Sequence, residues 1–144
     1  KTVIHFDFHN LTLGVNERHE RYRRPVETWR RWAFMIDTVQ LNEEEVASLD
    51  GSMHDERALI GHMLTLGVKG VLVTRGSKGL TVYIDNQKHL VREDVAIAPA
   101  DGQEMIGAGD RFGAAFLHSV LNLKNISESA RAVAASMSDI SRDA

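Results

Sequence analysis

Gly70-Val71-Leu72-Val73-Thr74 is the stretch that most limits what this chain can become. Its apolar residues run without alternation, so a strand here has no face to give to water. Such a strand lies inside a sheet covered on both sides, and the covering layers must come from elsewhere in the chain. Upstream, His54 to Leu66 carries a helical pattern with Ala58, Leu59, Met63 and Leu66 predicted inward and Gly67 as its C-terminal stop. Downstream, Asp110 to about Leu121 and Ser127 to about Ile140 are predicted as helices. Further strands are expected at Val3 to Phe6, ending near Asp7, and at Thr38 to Leu41. Glu43 to Leu49 makes a short helix between two of these strands. Leu80 to Ile84 pairs with Lys88 to Val91 as an antiparallel excursion, and Val95 to Ala98 is expected as a last short strand. Behind Pro25, the positions Trp29, Trp32, Ala33 and Ile36 predict one buried helix face, and Asn16 to Arg24 reads as a surface loop. Strands alternating with helices mean an α/β fold with a mainly parallel sheet flanked by helices.

At 144 residues, with no internal repeat or dividing linker, the chain has the size of one domain. It opens Lys1-Thr2-Val3-Ile4, already in a strand pattern, which predicts the later part of something longer. Cysteine is absent, which excludes disulfides, thiolate metal sites and cysteine nucleophiles and fits a reducing compartment; the expected location is cytoplasmic. No apolar run approaches the ~18 residues of a membrane span. A net charge of −3 does not suggest a general polyanion binder. Arg18, Arg21, Arg23, Arg24, Arg30 and Arg31 cluster, but they are expected to form a solvated loop and helix face, and a nucleic-acid partner is not expected. The seven histidines lack metal-ligand spacing on a helix, and His5 and His9 are assigned core or surface roles beside a strand end.

Three short stretches can carry chemistry, and each has a structural explanation beside a functional one. Asn42-Glu43-Glu44-Glu45 is a capping box, in which the Asn caps the helix and the Glu returns to the Asn amide. It also stands at the C-terminal end of a strand, where ligands collect in open α/β sheets, and its oxygens suit a hydrated Mg²⁺. Thr74-Arg75-Gly76-Ser77-Lys78-Gly79 is a glycine-rich turn, or a loop that lets a nucleotide phosphate approach the backbone. It is not the Walker pattern. Gly107-Ala108-Gly109-Asp110 opens a helix with an acid favoured by the macrodipole. The same turn aims backbone N–H groups at one spot, an anion hole for a transferring phosphoryl group, with Asp110 placed to orient an attacking hydroxyl.

In this order, each in its expected strand or helix context, the three stretches resemble the ribokinase-like sugar kinases, the phosphofructokinase-B family. The resemblance runs from about Asp7 to the C-terminus and matches the nucleotide-binding C-terminal half of such an enzyme. It implies a three-layer, Rossmann-like ribokinase fold of which residues 1–144 form a single partial domain. It further implies Asp110 as the catalytic base and Gly107, Ala108 and Gly109 as the anion hole. Thr74, Gly76 and Gly79 would lie beside the ATP phosphates, and Asn42 and Glu45 would hold Mg²⁺, mostly through water. The helix from Arg131 to Ser138 takes the place of one that flanks the adenine. The implied reaction moves the γ-phosphoryl of ATP to a hydroxyl of a sugar or nucleoside-like small molecule. The substrate-binding strands and lid belong to an N-terminal half outside this chain, so the chain alone is expected to be inactive, with an exposed sheet edge and a tendency to form homo-oligomers.

The chain also leaves the family pattern. Members carry Asp-Thr-Thr or Asp-Thr-Val where this chain has Glu104-Met105-Ile106, so use of a monovalent cation is left open. Asp7-Phe8-His9-Asn10-Leu11 replaces a common Asp-x-Asn-x-Arg, and Arg111 replaces a smaller residue. These departures keep a rival in view: a non-catalytic nucleotide- or sugar-binding module of the same fold.

Overall fold

The computed structural model describes residues 2–51, 55–87, 89–97, 107–122 and 125–142, the last five by backbone alone. Its centre is a five-stranded sheet. In chain order the strands and main helices are β1 (His5–Asp7), β2 (Leu13–Val15), β3 (Arg21–Arg23), α1 (Trp29–Trp32), β4 (Thr38–Asn42), α2 (Glu43–Leu49), α3 (Glu56–Thr65), β5 (Gly70–Thr74), β6 (Leu80–Asp85), β7 (Leu90–Val95), α4 (Ala108–Leu121) and α5 (Ile126–Arg142). The order across the sheet is β1-β4-β5-β6-β7. β1, β4 and β5 pair in parallel, whereas β6 runs against β5 and β7 against β6, so only β6 points the other way.

β5 shows why its sequence has no polar face. Val71 and Val73 enter a core with Trp29, Leu41, Leu49, Leu59 and Ile60, on the side covered by α1, α2 and α3. Leu72 enters a second core with Phe112, Phe116, Ala130 and Ala134, under α4 and α5. The sheet is therefore the middle of three layers, as the unalternating apolar run predicts. Gly70 lets the Ile126 side chain at the start of α5 pack close to the strand, since a Cβ there would lie 2.8 Å from Ile126 Cδ1 and push it aside.

Four sequence expectations change. Residues 13–23 are not a plain loop: β2 and β3 form an antiparallel hairpin, with Gly14 opposite Tyr22. The charged and exposed residues of β3 hide a strand that is not part of the main sheet, and Gly14 leaves room for the Tyr22 ring lying across it. The predicted Trp29–Ile36 helix breaks up into the four-residue α1, a 3-10 turn over Ala33–Met35 and an extended Ile36. Trp29, Ala33 and Ile36 are still buried. In α3, Ala58 faces solvent and Ile60 and Leu64 take inward places beside Leu59 and Met63. Val95 ends β7 rather than starting a separate strand, and Ala98 lies outside the described residues. Gly67 does stop α3, with φ at 111°.

Candidate active site

Parallel pairing brings the C-terminal ends of β1, β4 and β5 to one side of the molecule. Asp7 lies opposite Gln40, and Asn42 opposite Thr74. The magnesium-motif candidate and the ATP-loop candidate are therefore neighbouring strand ends, although 32 positions of sequence separate them.

At the end of β4 the capping box is complete. Asn42 Oδ1 accepts from the Glu45 N–H at 2.8 Å, and Glu45 Oε2 accepts from the Asn42 N–H at 2.8 Å. Glu45 is buried, and its other oxygen, Oε1, stands 4.0 Å from Arg23 Nη1. Burial raises the Glu45 pKa against the pull of the Asn42 N–H, and the charge of Asp7 adds to the rise. Arg23 also donates to Glu44 and to Thr12 Oγ1, so the β2–β3 hairpin is tied to the start of α2. This arginine is an ion-pair partner rather than part of a solvated patch.

The loop after β5 is built differently from its sequence expectation. Thr74 Oγ1 donates to the Leu41 carbonyl at 3.3 Å, bracing β5 on β4. Gly76 and Gly79 have φ at 56° and 95°, conformations that favour glycine. Gly79 is also squeezed, since a Cβ there would meet the Val95 carbonyl at 2.1 Å. Arg75 turns back into the fold. It donates to Thr81 Oγ1 and Glu43 Oε1 at 2.8 and 2.9 Å and pairs with Glu56. That hydrogen bond to Glu56 raises the Arg75 pKa. Burial would raise the Glu56 pKa, but bonds from Arg75 and Tyr83 leave it lowered, while burial and the bond to Glu56 push Tyr83 up to about 12. Arg75 thus joins α2, α3 and β6.

The third site candidate opens α4. Gly107 is the N-cap, in the left-handed region at φ 75°, and has no side chain with which to cap the helix. The first intrahelical bond runs from the Arg111 N–H to the Gly107 carbonyl at 3.0 Å. Ala108 is half-buried, and Gly107, Gly109 and Asp110 are exposed. Glu104-Met105-Ile106 lie outside the described residues.

Folding then adds what spacing does not reveal. Asp7, His9 and Asp110 each offer a ligand atom within 4.8 Å of the others. His9 is exposed, as a surface role predicts, and it stands beside the carboxylates of Asp7 and Asp110. His9 holds φ at 35°, and its N–H donates to Asp7 Oδ1 at 3.2 Å. Burial raises the Asp7 pKa against the His9 N–H bond, and the charge of Asp110 adds to it. Asp7 also raises Glu45, so the strand ends concentrate carboxylate charge that burial already disfavours. Hard oxygen donors in such surroundings fit a hydrated Mg²⁺, which would relieve the repulsion. The sequence signal for this grouping was slight: an acid and a histidine just past a short apolar strand.

The C-terminal ends of parallel strands, meeting the start of a helix, are where ligands collect in open α/β sheets. Residues 20–140 match the family model described as pfkB family carbohydrate kinase, and the chain belongs to that family. It is 35% identical to a ribokinase of Arabidopsis thaliana over 107 residues, spanning 72% of this chain and 28% of that protein. The structure of Arabidopsis thaliana ribokinase complexed with ribose and ATP is similar with a TM-score of 0.61 and 30% identity, over 79% of this chain and 36% of that one. An Escherichia coli protein solved in complex with ATP and Mg²⁺ has a TM-score of 0.64 and 27% identity, over 78% of this chain and 35% of its own. The chain thus spans between 28% and 36% of these relatives' length.

Proposed function

We propose that this chain supplies the phosphate-handling part of an ATP-dependent kinase that phosphorylates a hydroxyl of a sugar or related small alcohol, in the cytoplasm. The carrying observation is the start of α4: a glycine-capped turn with Asp110 in its first turn, grouped with Asp7 and His9 within 4.8 Å. Asp110 orients the acceptor hydroxyl and takes its proton late in the step. The acceptor oxygen bonds to the γ-phosphorus while the bond to the β,γ-bridging oxygen breaks, and ADP leaves with that electron pair. First-turn N–H groups of Gly107, Ala108 and Gly109 stabilise the charge on the transferring group. Asn42 and Glu45 would hold Mg²⁺ through water, and there it would supply positive charge to offset that of the phosphates. Thr74, Gly76 and Gly79 form the wall beside the ATP phosphates; Thr74 acts through its backbone position, since its hydroxyl is bonded to Leu41.

Coverage of only 28% of the ribokinase relative supports a second reading, in which this segment binds nucleotide but does not turn over by itself. The acceptor-binding part of such an enzyme would then lie in a region of the relatives that this chain does not match, and self-association could bury what that region covers.

One assay series tests both readings. The 144-residue chain, and a polypeptide carrying it within the full length of its relatives, are given ATP, Mg²⁺ and a panel of sugars and nucleosides. Turnover in the longer protein that Asp110→Asn abolishes, with nucleotide binding kept, supports the kinase. Equal turnover in that variant overturns the assignment of the base. Nucleotide binding without turnover in either polypeptide supports the binding module.

A further inference from the structure

Between β1 and α4 lies a polar side chain that no functional motif includes. Gln40 is 2% exposed and sits on the face of β4 toward α4. Its Nε2 donates to the Gly109 carbonyl at 3.1 Å and to Asp7 Oδ2 at a longer 3.4 Å. Its Oε1 faces His5 Nε2 at 3.3 Å, and His5 Nδ1 faces Thr38 Oγ1 at 2.9 Å. One buried amide therefore touches the helix turn that carries Asp110 and the strand end that carries Asp7.

We propose that Gln40 is a positioning residue that fixes the first turn of α4, and with it Asp110, against the end of β1. The functional half of this rests on the reading of Asp110 as the base.

Donor and acceptor chemistry dictates the arrangement. A peptide carbonyl and an ionised carboxylate can only accept, so the NH₂ of Gln40 must face Gly109 and Asp7. That leaves its oxygen for His5, which must carry its proton on Nε2. Nδ1 of His5 is then an acceptor, and the Thr38 hydroxyl donates to it. Burial lowers the His5 pKa, which keeps the ring neutral and compatible with this single tautomer. The helix above is shaped to the pair: a Cβ at Gly113 would lie 3.1 Å from Gln40 Oε1 and 3.3 Å from His5 Nε2. Phe116 closes the space with its ring centroid 5.2 Å from that of His5. Gly107 has no side chain to cap α4, and the bond from Gln40 to the Gly109 carbonyl ties the first turn to the sheet from the side without using any of its N–H groups.

The test compares Gln40→Met, which keeps the volume and loses the amide, with the unaltered chain. Nitrogen-15 NMR should find His5 protonated on Nε2. Hydrogen exchange at the Arg111 N–H, the first bond of α4, should be about tenfold or more faster in Gln40→Met, with Val71 to Val73 unchanged. In the full-length kinase assay the same variant should lower kcat about 10- to 100-fold with KM for ATP within about twofold, as a displaced base would. A proton on His5 Nδ1, or Arg111 exchange equal to that of the unaltered chain, overturns the positioning role. If Asp110→Asn abolishes turnover and Gln40→Met leaves it unchanged, the positioning role fails and the base assignment stands. If Asp110→Asn leaves turnover intact, the base assignment fails, and the NMR result alone then decides whether Gln40 fixes the turn.

Discussion

Two helices begin at the same end of this sheet, on opposite faces, and they begin in opposite ways. α2 is sealed by its own residues: Asn42 and Glu45 satisfy each other's backbone N–H groups within four positions. Among the described residues no side chain caps α4, which starts from a glycine at φ 75° and is held from the side by Gln40 of a distant strand. A helix that must only be stable closes its N-terminus with local chemistry. One whose N-terminus is to meet an anion has to leave it open, and the stability it forgoes is supplied by tertiary contacts.

The largest expected effect breaks the comparison at its functional end. On the proposed reading of Asp110 as the base, Asp110→Asn should lower kcat of a kinase carrying this segment about 10²- to 10⁴-fold, while the melting temperature stays close to that of the unaltered protein. A variant that loses stability in proportion to activity would instead make α4 an ordinary structural start. Next, Glu45→Gln keeps a capping-box acceptor but removes the charge. It should raise the Mg²⁺ concentration needed for half-maximal activity about tenfold, the scale seen for outer-shell partners of metals. Its denaturation midpoint should change little, since Gln serves the box as well as Glu.

Smaller effects concern stability. Gly107→Ala places a Cβ in the left-handed region and should cost about 1–2 kcal/mol in urea unfolding. Asn42→Ala should cost about 1 kcal/mol, the loss of one side-chain cap. If Gly107→Ala proves harmless, the turn is not under the backbone constraint that distinguishes α4 from α2. The smallest effect is electrostatic. Burial raises the Asp7 pKa in the folded state, so between the ordinary and the raised value the folded protein binds more protons than the unfolded one. Stability from this group is full below its ordinary value and is lost as pH rises through the raised one. Asp7→Asn should therefore raise the unfolding midpoint modestly at pH 7 and have no such benefit at pH 3. His5 acts with the opposite sign: its pKa is lowered, so its contribution is present at pH 7 and is lost as pH falls below about 6.5. Measured midpoints across pH 5 to 7 in His5→Gln should lose that slope.

The contrast between the two helices also explains how far the sequence could be read. α2, with its cap, falls within the residues assigned to it because both partners of the box lie three residues apart. β5 was recognisable because burial on both faces leaves Val71, Leu72 and Val73 as an unbroken apolar run. The hairpin over residues 13–23 was hidden, since exposed strands carry charged residues that look like a loop. The inward turn of Arg75 was not legible in its loop, because its partners Glu43 and Glu56 lie on separate helices far off in sequence. The Trp29–Ile36 periodicity correctly marked buried positions while overestimating the helix that holds them.

By itself, then, the sequence determined the layers, most strand positions, the glycine turns at Gly67 and Gly107, and the order of motifs that marks the pfkB family. Each of those depends on neighbours within a few residues or on a simple apolar period. Only the tertiary structure brought Asp7 and His9 to Asp110, about a hundred residues away, and placed Gln40 between the strand and the turn. That grouping depends on parallel strand register and on a glycine-lined helix lying across it, and no local pattern encodes either.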